Sequence, residues 1–236
     1  MYLGKVKISC YSLEELLTLS ESLKHIITVN AEAIVRAQDD LKLLNIINKG
    51  SATIDGQIPL WIFKQKYPQI KIEKLSGSDM IYDICDWAGK KNLKVFLLGG
   101  NEYSNELSVK RLQEKYHVTI KGFSPEYAPY PFSENLNQLI LKEIKEFSPH
   151  IIFVGFGMGK QEYWIDDNRK VLEKIGVQLA IGCGGTFDFV AETIKRAPVF
   201  IQEIGMEGIW RLIMEPKWFR LKRILLSFKF FYYAYK

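Results

Sequence analysis

Apolar residues along the chain fall into two patterns. Short, nearly unbroken runs rich in β-branched side chains predict strands covered on both faces, at 25–29, 94–98, 118–121, 150–154 and 177–181. Between them lie longer stretches in which apolar positions recur every three or four residues. These predict helices over 12–23, 31–48, 78–91, 102–116, 133–147 and 161–174, and Ser12 (with Glu15 three positions on) and Ser133 read as N-caps. Strands and helices in alternation predict an α/β fold: a Rossmann-like, mostly parallel sheet with helices on both faces. The Pro- and Tyr-rich run SPEYAPYPFS reads as a loop, and no internal repeat is present. After Thr186 the alternation stops and Trp, Phe, Arg and Lys dominate. The expected division is therefore a core at 1–195 and a C-terminal helical appendage at 196–236.

Composition adds one asymmetry. The chain of 236 residues is 47% hydrophobic and 25% charged, as expected of a globular protein. Its net charge of +5 is concentrated near the C-terminus. From 210 onward, Arg211, Lys217, Arg220, Lys222, Arg223, Lys229 and Lys236 face a single acid, Glu215. Interleaved with Leu225, Leu226, Phe228, Phe230 and Phe231, these cations suit an interfacial helix whose charges meet headgroups while its rings enter the acyl boundary. Packing onto the core or onto a second copy would use the same apolar residues. No nucleic-acid module is read. No run reaches the ~18 apolar residues of a membrane span, and the N-terminus lacks the basic and apolar regions of a signal peptide. The expected location is cytoplasmic, peripheral on the inner face of the membrane. Cys10, Cys85 and Cys183 have neither disulfide nor zinc spacing.

In open α/β sheets ligands bind beyond the carboxyl ends of the strands. The candidates there are Thr28 and Asn30, Asp55 with Gly56, Gly99 and Gly100, Gly155 to Gly159, and Gly182 to Gly185. Glycine turns suit close approach of backbone to a ligand, and they also simply end strands. The run GFGMGK has neither GxGxxG spacing nor the Ser or Thr of a P-loop after its lysine, so a nicotinamide-dependent reading is weak. Asp55 suits a general base if desolvated, though on spacing alone Asp-Gly fits a turn better. Gln161 could donate into a cleft, whereas Glu162 suits the dipole of a helix start. Asp166 and Asp167 fit a solvated helix face better than a metal site, and His25, His117 and His150 lack ligand spacing.

Taken in order, the segments TVN (28–30), IDG (54–56), SGSD (76–79), LLGG (97–100), IIFVGFGMGKQEYWI, IGCGGTFDF, KRAP and EGIWRLIMEPKWFRLKR resemble the WecG/TagA/CpsF family of bacterial glycosyltransferases. The resemblance spans nearly the whole chain. It implies an inverting transfer without metal or other cofactor, from a UDP-sugar such as UDP-N-acetylmannosamine, onto an undecaprenyl-diphosphate-linked amino sugar. Products of such transfer are teichoic acid linkage units, common antigen or capsule. The implied base is Asp55. Implied substrate contacts are Thr28, Asn30, Lys74, Gly99, Gly100, Gln161, Gly184, Gly185 and Asp188. Arg196, Arg211, Arg220 and Arg223 are implied for the acceptor diphosphate or the membrane. Four positions depart from the family pattern. Lys74 replaces an arginine, Met158-Gly159 replaces a small residue and proline, Ala191-Glu192 stands where glycine is common, and Gly208 replaces a tryptophan. A non-catalytic membrane scaffold is the competing reading outside enzymes.

Overall fold

The computed structural model describes residues 1–9, 11–19 and 22–235, apart from the side chain of Phe219. Cys10, Lys236 and part of the helix expected at 12–23 lie outside the described residues. A two-stranded hairpin, β1 (Tyr2–Leu3) and β2 (Val6–Lys7), opens the chain. Six parallel strands follow: β3 (Lys24–Val29), β4 (Ser51–Ile54), β5 (Lys94–Gly99), β6 (Thr119–Phe123), β7 (Ile151–Gly155) and β8 (Leu179–Gly182). Their order across the sheet is β4-β3-β8-β7-β5-β6.

Between the strands run α1 (Leu13–Leu16), α2 (Ala31–Asp39), α3 (Leu41–Lys49), α4 (Gln57–Lys66), α5 (Gly77–Lys90), α6 (Glu102–Tyr116), α7 (Glu134–Phe147), α8 (Lys160–Asp167), α9 (Arg169–Ile175) and α10 (Thr186–Val190). Among the described residues three more helices follow, α11 (Val199–Glu203), α12 (Glu207–Met214) and α13 (Trp218–Ala234).

The unbroken apolar strands are explained by burial on both sides. In β5, Val95 and Leu97 pack with α5 and α6, while Phe96 and Leu98 pack with α7, α8 and α9. In β3, Ile27 and Val29 join the cluster under α2 and α3, and Ile26 turns to the opposite face. This is the Rossmann-like arrangement that the alternation of patterns predicts.

Two predicted helices are each split by one polar residue. Asp40 leaves helical geometry (φ −115°, ψ 95°), closes α2 and caps α3 by accepting the Leu43 N–H at 3.0 Å. Asn168 (φ −101°, ψ 5°) bonds the Trp164 carbonyl through its own side chain and ends α8. The helix expected at 12–23 shrinks to α1, and the Lys24 ammonium collects the Glu15 and Thr18 carbonyls at 2.9 and 2.8 Å. Strand β4 ends where the placing of Asp55 at a strand end implies, and helix α4, which no pattern announces, follows the Asp-Gly pair.

The C-terminal segment is seated on the core. Helix α13 packs along α2, and Phe230 and Ala234 are fully buried among residues that include Leu3 and Ala33. Its outer side remains uncovered: Trp218, Leu225 and Tyr232, spaced seven apart on one face, are 65%, 56% and 62% exposed. No helix among the described residues is long and apolar enough to cross a membrane.

Candidate active site

A cleft of about 380 Å³ opens at the carboxyl ends of β4, β3, β8 and β7, and α12 and α13 close it from above. Its volume lies within the range of small-molecule sites. The floor begins at Asp55, one residue beyond β4, whose N–H bonds the Val29 carbonyl at 2.9 Å. The next residue, Gly56, has φ +97°, and a Cβ there would meet only Pro59 at 3.7 Å. The backbone turn, not lack of space, therefore calls for glycine. It starts α4, where Pro59 is tolerated in the first turn.

The segment before α5 runs beside β4. Lys74 bridges to Ile54, the Leu75 N–H reaches the Ile54 carbonyl at 2.9 Å, and Thr53 Oγ1 donates to the Leu75 carbonyl at 2.9 Å. This register brings Lys74, Ser76, Gly77 and Ser78 onto the cleft wall, with the N-terminal turn of α5 facing in. Gly77 lies against the turn after β8, where a Cβ would come within 3.0 Å of Cys183 Cα.

Burial pushes the Asp55 carboxyl up to about 6. Glu207 and Asp79 push the same way, while Arg211 and Lys74 pull down. Arg211 enters from α12 with its guanidinium carbon 4.1 Å from the centre of the Phe189 ring. Its Nε has no hydrogen-bond partner among the described residues, and Glu207 stands 3.9 Å away. Arg220 pairs with Glu215. Arg223 reaches back to Glu32 in the first turn of α2, at 2.5 Å, and Glu32 also holds Arg36 at 2.6 Å. The cleft thus sets one carboxylate with a raised pKa against three arginines. The opposite wall is apolar, built by Ile58, Pro59, Ile224, Phe228 and Phe231.

Ten of the predicted residues meet here: Thr28, Asn30, Asp55, Lys74, Gln161, Gly184, Gly185, Arg211, Arg220 and Arg223. Two have structural duties as well. Thr28 Oγ1 donates to the Gly182 carbonyl at 3.1 Å, and Asn30 caps α2 by accepting the Ala33 N–H at 3.0 Å. Gln161 departs from the expected donor role. Its oxygen accepts the Gly157 and Gly184 N–H groups, and its amino group donates to Glu162.

Four predicted residues are not on the cleft wall. Gly99 and Gly100 lie under the Phe156 and Phe187 rings, which a Cβ would approach to 2.8 Å in each case. Asp188 accepts the Ser104 hydroxyl at 2.8 Å. Arg196 pairs with Asp79 at 2.5 Å and so braces the first turn of α5.

Sequence reasoning missed Glu32, Glu207, Ser76 and Ser78, and gave Glu162 only a dipole role. The serines stand inside the SGSD block, a signal that was available. Glu207 likewise opens the quoted EGIWRLIMEPKWFRLKR block, whereas nothing in the sequence singled out Glu32. Glu162 is wholly buried, and burial pushes its carboxyl up to about 7. Among the described residues no group of three or more His, Cys, Asp or Glu side chains is arranged to hold a metal.

Compared with known families, the chain matches the family model of the glycosyl transferases WecG/TagA/CpsF over residues 1–236.

Proposed function

The chain belongs to the WecG/TagA/CpsF glycosyltransferase family, and from that premise we propose that its cleft moves a hexose or N-acetylhexosamine, such as N-acetylmannosamine, from a UDP-sugar to a polyprenyl-diphosphate-linked amino sugar. The observation that supports this most is Asp55, a carboxylate with a raised pKa on the floor of a cleft roofed by arginines. A base with a pKa near 6 is ionised at neutral pH yet still able to take a proton. In the proposed step Asp55 removes the proton of an acceptor hydroxyl. The hydroxyl oxygen bonds to the anomeric carbon from the face opposite the diphosphate. The bond from that carbon to the diphosphate oxygen breaks, UDP leaves with the electron pair, and the configuration inverts.

The leaving group gains negative charge. Arg211, with an uncommitted Nε, is the first candidate to meet it, aided by Arg220, Arg223, Lys74 and the N–H groups at the start of α5. No metal is assigned a part in the step.

The apolar wall of Ile58, Ile224, Phe228 and Phe231 supports an acceptor that carries hydrocarbon next to its diphosphate. The exposed Trp218, Leu225 and Tyr232 on the same helix support contact with an anionic bilayer, hence a peripheral location on the cytoplasmic face and a part in cell-surface polysaccharide or teichoic acid synthesis. The test incubates the protein with a panel of UDP-sugars and a synthetic prenyl-diphosphate GlcNAc acceptor. One donor is expected to yield a product of inverted configuration. Absence of transfer with every donor, or a retained configuration, would refute the proposal.

A further inference from the structure

Gln161 and Glu162 stand side by side at the start of α8, 2% and 0% exposed. We propose that Glu162 is a positioning residue, which orients the Gln161 amide so that this amide holds together the two glycine turns on one wall of the cleft. The turns follow β7 and β8. Their Gly157 and Gly184 N–H groups, 27 positions apart in sequence, both donate to Gln161 Oε1, at 3.1 and 3.0 Å.

A glutamine side chain has one accepting end and one donating end. Two N–H groups on its oxygen therefore force the amino group to point the other way. There it meets Glu162 Oε1 at 2.8 Å, while Glu162 Oε2 takes the Gly159 N–H at 2.6 Å. Glu162 thus faces a donor at each oxygen. Only a side chain that accepts at both ends satisfies that pattern, and a carboxylate does. Gly182 completes the arrangement, because a Cβ there would stand 2.5 Å from Gln161 Nε2 and 2.9 Å from Glu162 Oε1.

Capping of α8 does not account for this polarity. Glu162 is the third residue of α8 and reaches back to the Gly159 N–H, a bond that glutamine makes equally well. The Glu162→Gln variant therefore keeps the cap and sets one amino group against another. To escape, the Gln161 amide must turn, which presents an amino group to the two glycine N–H groups and leaves them unsatisfied. Adding Gln161→Glu restores every donor to an acceptor. The new carboxylate at 161 takes the glycine N–H groups on one oxygen and the amino group of residue 162 on the other.

The experiment measures amide hydrogen exchange by NMR in full-length, ¹⁵N-glycine-labelled protein, alongside sugar-transfer kinetics. Glu162→Gln is expected to lower protection at Gly157 and Gly184 by about 10-fold or more and turnover by about 10- to 100-fold, with Gly122 in β6 unchanged. The double variant is expected to recover both protections to within about threefold; its turnover is not compared, because Gln161 lines the cleft. Gly182→Ala, which pushes the Gln161 amide aside by another route, is expected to lower the same two protections. Unchanged exchange in Glu162→Gln, or glycine protections in the double variant no higher than in the single, overturns the inference. Only the kinetic arm rests on the proposed transfer reaction. If the parent transfers no sugar, the exchange data still decide the role of Glu162.

Discussion

At the scale of the residue, Asp55 carries the sharpest expectations. Asp55→Asn keeps the shape and removes the base, so turnover should fall by about 10²- to 10⁴-fold while UDP still binds, as measured by calorimetry. The carboxyl is raised from 3.8 to about 6, so the folded protein favours its protonated form. That contribution to stability is complete below pH 3.8 and is lost as pH rises through about 6. Above that pH the asparagine variant should therefore unfold later than the parent, by about 1 to 2 kcal/mol in denaturant titrations. The same charges predict the pH dependence of rate. The parent's turnover should rise through about pH 6. Arg211→Gln, which removes a charge that lowers the Asp55 pKa, moves that limb to higher pH, and Glu207→Gln moves it to lower pH. Glu192 is a second case. It has φ +57°, a conformation that favours glycine, and its ion pair with Arg111 is at the surface. Glu192→Gly should raise stability by up to about 1 kcal/mol, because relief of the left-handed backbone outweighs a solvated pair.

At the scale of the element, legibility followed the length of the pattern. Helix α7 lies within one residue of its expected bounds because fourteen residues of strongly periodic sequence outvote local noise, and five strands of the large sheet fall within two residues of their apolar runs. Breaks were illegible because each depends on one side chain choosing backbone partners. Asp40 and Asn168 both sit in stretches whose apolar period continues past them. Strand β4 (SATI) opens on two small residues and so lacks the long apolar run that marks the other strands, and α4 opens on an Asp-Gly pair that reads as a turn. In the cleft, residues at the ends of β3, β4 and β8 were legible, whereas Gly99 and Gly100 at the end of β5 lie under aromatic rings instead. Glu32 and Glu162 were not legible, because their importance comes from partners distant in sequence or from complete burial. Helix α13 shows the same division. Its basic and aromatic composition announced a surface role, whereas the burial of Phe230 against α2 needed the fold. Phe230→Ala should cost about 3 kcal/mol and loosen α13 from α2, which a lower melting temperature and faster proteolysis of the C-terminal segment would register.

At the scale of the whole molecule, the cleft and the exposed aromatic stripe occupy opposite sides of one helix. Replacing Trp218, Leu225 and Tyr232 together by serine removes apolar surface without touching the cleft. Binding to anionic vesicles should weaken by at least about 10-fold in flotation assays, with the melting temperature unchanged. Higher salt should weaken the parent's binding as well, since cations flank the stripe. The cleft is also drawn from remote parts of the chain. Thr28 is tied to Gly182 across 154 positions, and Glu32 to Arg223 across 191. Contacts of such separation close late, after the local helices and the hairpin have formed. Recovery of ligand binding during refolding should therefore trail recovery of the far-ultraviolet signal, so UDP retention would report completed folding where secondary structure alone would not.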